Sequence, residues 1–160
     1  MKGNLDSMIS IRHVGVYVND LEKAEQFYSE VFSMRTIVSH NPEQSEMLDD
    51  LFRQSGARIL TTKLITPYGC ETGTGDMLEL IKVVSFEPGH LPGNRMISET
   101  GMGHVAFGVT DIENVSNKIA EHGGRMMTKV YTMPNGNKCA FAQDPEENWI
   151  ELIQRAEKTD

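Results

Sequence analysis

The chain has 160 residues, is 39% hydrophobic and carries a net charge of −8, the proportions of one globular domain able to bury its own core. Its apolar runs are too short for a membrane span, and the first ten residues hold no apolar stretch of a signal peptide. Acidic charge spread along the chain excludes a nucleic-acid backbone as partner, and two cysteines outside any CxxC pair, Cys70 and Cys139, fit reduced thiols in a cytoplasmic protein.

Residues 11–18 are apolar and β-branched and predict a strand. Asp20 then caps a helix in which Leu21, Ala24, Phe27, Tyr28 and Val31 share one face. A short strand is expected at 36–39. Asn41 followed by Pro42 reads as an N-cap and first-turn proline, opening an inserted helix with Met47, Leu48, Leu51 and Phe52 on one stripe and Gly56 as its stop. That insertion, residues 41–56, is either a surface helix over a sheet edge or a lid over a pocket. Strands follow at 59–66 and 77–84, and the Pro- and Gly-rich stretch 87–100 is a linker by composition.

Beyond the linker the order repeats. A strand at 104–109 leads to a cap at Asp111, then to a helix carrying Ile112, Val115 and Ile119 that Gly123-Gly124 stops. Further β runs are predicted at 125–131, 138–143 and 149–154. The repetition extends to side chains. His13-Val14-Gly15-Val16 and His104-Val105-Ala106-Phe107 open equivalent strands, and Leu78-Glu79-Leu80-Ile81 answers Ile150-Glu151-Leu152-Ile153. The chain therefore divides into a βαβββ module over 9–86, the linker 87–100 and a second βαβββ module over 101–155, together one domain.

Strand side chains alternate between faces. His13 shares its face with Gly15 and Tyr17, and His104 shares its face with Ala106 and Gly108, so small residues leave room beside each imidazole. Glu79 and Glu151 each stand in an apolar strand, where a carboxylate needs a partner. A satisfied core histidine or a salt-bridged edge glutamate is the plainer explanation of either residue alone. Two His and two Glu in matching positions more economically share one cation, because an N2O2 set suits a divalent transition metal with positions left for water or substrate. His40 and His90 fall in loops with no counterpart and read as surface residues. His122 marks a helix end and Asp20 and Asp111 are caps.

These residues give the chain a family resemblance. His13 to Tyr28, Gly103-His104-Val105-Ala106-Phe107 and Asp144-Pro145-Glu146-Glu147-Asn148-Trp149-Ile150-Glu151 resemble the signatures of the vicinal oxygen chelate superfamily. That group includes glyoxalase I, methylmalonyl-CoA epimerase, extradiol dioxygenases and drug-resistance binding proteins. The resemblance implies an α+β fold in which two βαβββ modules form an open, curled mixed β-sheet barrel with helices outside, usually within a homodimer. It implies His13, Glu79, His104 and Glu151 as ligands of a divalent ion (nickel, cobalt, zinc, manganese or iron). Glu at the second ligand position resembles glyoxalase I, where epimerases carry Gln. Tyr17 and Val83 stand where glyoxalase I places an Arg and an Asn that hold glutathione, which implies a weaker grip on that cosubstrate. Arg12, Arg95 or Lys138 could compensate.

A cation gripping adjacent oxygens can stabilise the enediolate formed when a proton leaves carbon beside a carbonyl. Glu79 or Glu151 can take that proton and return it. Return to the neighbouring carbon is glyoxalase chemistry; return to the opposite face is epimerisation. The expected substrate is a small carbonyl compound or thioester, with Tyr17, Ala106 and Gly108 lining its site. An acyl-CoA epimerase is the alternative reading, followed by an extradiol-type oxygenase and a non-catalytic binder.

Overall fold

Alternation in the first strand decides how the chain packs. A computed structural model describes residues 11–73, 75–86 and 103–156. In β1 (His13–Tyr17) Val16 is buried, while His13, Gly15 and Tyr17 are exposed. Helix α1 (Leu21–Phe32) begins where Asp20 accepts from the Lys23 N–H, and it buries Leu21, Ala24, Phe27, Tyr28 and Val31. Then come β2 (Arg35–Gln44), α2 (Glu46–Phe52), β3 (Arg58–Ile65), α3 (Pro67–Thr72) and β4 (Met77–Val83). The second half runs β5 (Val105–Val109), α4 (Ile112–Glu121), β6 (Arg125–Met126), β7 (Tyr131–Thr132), β8 (Lys138–Gln143) and β9 (Trp149–Gln154).

The described strands make two sheets, ordered β1-β4-β3-β2 and β5-β9-β8-β6, with β7 also on β8. In each, the first strand lies parallel to the last (β1 with β4, β5 with β9) and the other pairs are antiparallel. The α+β class and open sheets match expectation, and no barrel closes among the described strands. One core joins the halves. Val16, Leu64, Leu78 and Leu80 from one sheet, Ala140, Ala142, Ile150 and Leu152 from the other, and α1 and α4 all contribute buried side chains to it. The His-bearing faces of both sheets are the ones turned away from this core.

Several local expectations are corrected. Asn41 and Pro42 do not start a helix; they pair with Thr61 and Leu60 inside β2. β2 ends the sheet order, where a proline without an N–H is tolerated. Ser45 is the actual cap of α2, accepting from the Leu48 N–H, and the helix ends at Phe52, ahead of Gly56. His40 lies within β2 and not in a loop: it sits at a register break with φ +46°, beside Glu25 at 3.3 Å. The short α3, capped by Thr66 with Pro67 in its first turn, has too few residues to show a helical period in sequence. The run 125–131 is interrupted between β6 and β7. The linker 87–100, with His90 and Arg95, lies outside the described residues.

Candidate metal centre

Register brings the four predicted ligands together two by two. Glu79 stands beside Gly15 across the parallel β1–β4 pair, so His13, two residues earlier on the same face, reaches it diagonally. His13 Nε2 lies 3.2 Å from Glu79 Oε2. The second half repeats the construction: Glu151 stands beside Ala106 on β5, and His104 Nε2 lies 3.0 Å from Glu151 Oε2. Two donors on one transition-metal ion, each bonded at about 2.1 Å, stand roughly 3.0–3.4 Å apart. Both pairs therefore have the donor types and the spacing of adjacent ligands. The glutamates are mostly covered, with side chains 14% and 21% exposed, while the imidazoles are 41% and 35% exposed.

The two pairs do not merge within the chain: among the described residues no three His, Cys, Asp or Glu side chains gather closely enough to hold a metal ion. Each pair offers one nitrogen and one oxygen donor, and each lies on a sheet face turned away from the core. A side chain added at Gly108 would enter open space, whereas at Gly15 it would already meet Ile81 at 3.4 Å. Ala106 and Gly108 are exposed beside His104, and Tyr17 is exposed beside His13. A surface hollow lined by Pro42, Arg58 and Val84 contains none of the four candidate ligands.

Helix α2 stands at one end of the His13–Glu79 face. Leu48 packs with Ile59, Ile81 and Val83, and the Phe52 ring meets the edge of Tyr17 at 6.4 Å. The insertion thus walls the face that carries Glu79. Val83 is buried in this cluster, so it presents no polar group to a ligand.

The halves differ at one cross-strand position that sequence reading missed. Opposite Glu79 on β3 stands Lys63, whose Nζ lies 3.1 Å from Glu79 Oε1. Opposite Glu151 on β8 stands Phe141, whose ring meets His104 edge-on at 5.3 Å. Glu79 therefore has one oxygen toward an imidazole and the other toward an ammonium. Lys63 was legible only as a charged residue within a strand; its partner depends on register.

The turn after β8 is structural. Asp144, 3% exposed, accepts from the Tyr28 hydroxyl at 2.9 Å and from Asn148 and Glu146 N–H groups. Burial pushes its carboxyl above the ordinary range, and the hydrogen bonds from Asn148, Tyr28 and Glu146 oppose that rise. Burial, followed by the Asp144 charge, pushes the Tyr28 hydroxyl well above its usual value. Glu146 in turn accepts from the backbone N–H groups of Asn19 and Asp20, tying this turn to the start of α1.

The family model of the Glyoxalase/Bleomycin resistance protein/Dioxygenase superfamily matches residues 10–152. A probable lactoylglutathione lyase of Synechocystis is 30% identical over 149 residues, covering 92% of this chain and 97% of that protein. A lactoylglutathione lyase of Schizosaccharomyces pombe is also 30% identical over 94% of this chain, which spans only 49% of that longer protein. Among solved structures, a glyoxalase family protein from Bacillus cereus superposes with a TM-score of 0.82 at 17% identity, covering 98% of this chain and 99% of that one. Glyoxalase I from Zea mays superposes with a TM-score of 0.61 at 22% identity, over 92% of this chain and 45% of that one.

Proposed function

The chain belongs to the Glyoxalase/Bleomycin resistance protein/Dioxygenase superfamily, and from that premise we propose that it is a divalent-metal-dependent lyase of the glyoxalase I type. The observation that carries this reading is the duplicated His–Glu pair, with donor separations of 3.2 and 3.0 Å in equivalent registers. Its 30% identity to proteins named lactoylglutathione lyase supports the same reaction class. His13, Glu79, His104 and Glu151 are the residues that would hold the ion. Because each chain presents two half-sites facing away from its core, we place the complete set between two copies: the His13–Glu79 half of one and the His104–Glu151 half of the other.

When bound, the ion acts as a Lewis acid on the adjacent oxygens of an α-oxygenated carbonyl substrate. The protein's own part is proton transfer. A carboxylate among Glu79 and Glu151 takes a proton from the carbon beside the carbonyl and delivers it to the neighbouring carbon, so that one C–H bond breaks and another forms. Tyr17, Gly15, Ala106 and Gly108 leave space beside the imidazoles for a small carbonyl compound, as a hemithioacetal or thioester. Tyr17 supplies one hydroxyl where a charged, bidentate grip on a glutathione carboxylate would need Arg, and buried Val83 supplies none. The reading therefore includes loose binding of the glutathione portion. Two cysteines without a disulfide fit a cytoplasmic setting.

The test loads purified protein in turn with nickel, cobalt, zinc, manganese and iron, then supplies methylglyoxal with glutathione. Thioester formation that rises with bound metal supports the proposal. Absence of thioester with every metal, together with exchange of the α-proton of a racemisable acyl-CoA, would overturn it in favour of epimerisation.

A further inference from the structure

Across the antiparallel pair from each candidate glutamate, the two halves differ by a full charge. Lys63 and Phe141 occupy equivalent positions, each directly across an antiparallel pair from a candidate ligand glutamate. Had the basic residue served only to satisfy a half-buried carboxylate, Glu151 would need the same help. Instead Glu151, 21% exposed, has its imidazole and an aromatic neighbour among the described residues. The lysine is specific to one side of the site.

Its charge alters what the site prefers. Two carboxylates, two neutral imidazoles and one ammonium sum to −1, and a divalent cation raises this to +1. With an apolar residue at position 63 the filled site would be neutral. Lys63 is 35% exposed on the ligand face, and its ammonium has three N–H donors, of which Glu79 Oε1 takes one. A carboxylate that also serves a cation holds an ammonium less strongly, which leaves Lys63 free to engage a second anion. Glu43 stands on the neighbouring strand β2, four residues along the same face, and its carboxylate is taken up by hydrogen bonds from Thr61 and Asn41, while the Lys63 ammonium turns to Glu79. The net charge of −8 repels anions from the molecule as a whole, so selection of an anion must be local.

We propose that Lys63 is a specificity residue that selects carbonyl substrates carrying an anionic group, a carboxylate or a phosphate, close to the reacting carbon. The proposal rests on the metal-site reading above and deepens it. A lysine that merely neutralised Glu79 would affect neutral and anionic ligands alike. A lysine that also contacts the substrate's anion favours anionic ligands over neutral ones.

The experiment measures binding by calorimetry, not turnover. Metal-loaded protein is titrated with three chelating hydroxamates of similar length: neutral butyrohydroxamate, the monohydroxamate of succinate, and 3-phosphonopropionohydroxamate. The expected result is that at least one anionic probe binds about tenfold or more tightly than the neutral one. Whichever anion is preferred identifies the carboxylate or phosphate class. In Lys63→Met, with its fold checked by circular dichroism, the ratio of anionic to neutral probe affinity should fall to within about twofold; Lys63→Arg should retain most of it. Equal affinity of wild type for all three probes, or an undiminished preference in Lys63→Met, would overturn the role of Lys63 and leave the metal site standing. Failure of all three to bind metal-loaded wild type, with the same protein binding none in the absence of metal, would overturn the metal-site reading and this proposal with it.

Discussion

Tyr28 donates its hydroxyl to Asp144 at 2.9 Å, a buried hydrogen bond between the first helix and the turn that precedes the last strand. It crosses from one half of the chain to the other inside the shared core, where Tyr28 is 1% exposed. Both groups titrate away from their ordinary values because of this burial.

Tyr28→Phe leaves Asp144 buried with one donor fewer and should cost about 1.5–3 kcal/mol of stability near neutral pH. The penalty should shrink in acid, because the lost bond favours the ionised carboxyl. Asp144 itself, raised by burial, contributes stability that is fully present below its unfolded value of about 3.9 and is lost as pH rises through its higher folded value. The Tyr28 hydroxyl is also raised, so wild-type stability should decline above about pH 10, where the unfolded tyrosine ionises and the folded one does not. Tyr28→Phe should flatten that alkaline decline. Urea titrations across the pH range measure all three effects.

Gly124 is held by close approach. A methyl group there would stand 2.6 Å from the Gln143 carbonyl oxygen, 2.8 Å from Ile119 and 2.9 Å from Phe27. Gly124→Ala should therefore destabilise by about 1–3 kcal/mol through overpacking. Gly123→Ala should act through a different cause, since φ there is +85° while the nearest atom is 3.9 Å away. Thermal unfolding of the two variants compares backbone strain with collision.

Glu146 joins the β8–β9 turn to the start of α1 by accepting from Asn19 N–H, Asn19 Nδ2 and Asp20 N–H at 2.7–2.9 Å. Glu146→Ala should cost about 1 kcal/mol, reduced from the buried value because Asn19 and Asp20 are exposed. A fall of a few degrees in melting temperature is the expected size for a chain of this length.

Much of the architecture was legible because the sequence states it twice. The Val16 and Leu78–Leu80 pattern fixed which strand faces are core, and Asp20 and Asp111 marked both long helices by their capping bonds to Lys23 and Asn114. The same alternation placed His13, Glu79, His104 and Glu151 as candidates for one shared set; that they meet two by two within the chain came from the register of β1 with β4 and of β5 with β9. What sequence missed depends on register and tertiary context. Asn41-Pro42 has the chemistry of a helix start, yet pairing with β3 places it in an edge strand. Lys63 acquires meaning only from the strand that places Glu79 opposite it. Asp144 reads as a turn residue until Tyr28 is seen to reach it across the core. The proposed meeting of the two His–Glu pairs across copies is likewise a matter of assembly, which no single-chain periodicity encodes.

The most direct test of the central claim is metal content in a mixture of two inactive variants. His13→Ala and His104→Ala, each purified alone, should bind little metal and show little turnover. If each site is shared between two copies, mixing equal amounts through a dissociation and reassociation step makes half of the dimers hybrid. Each hybrid has one site with both defects and one with none, so about a quarter of wild-type metal binding and activity should return. Recovery of neither, from a mixture shown to have exchanged subunits, would contradict a site built from His13 and Glu79 of one copy with His104 and Glu151 of the other.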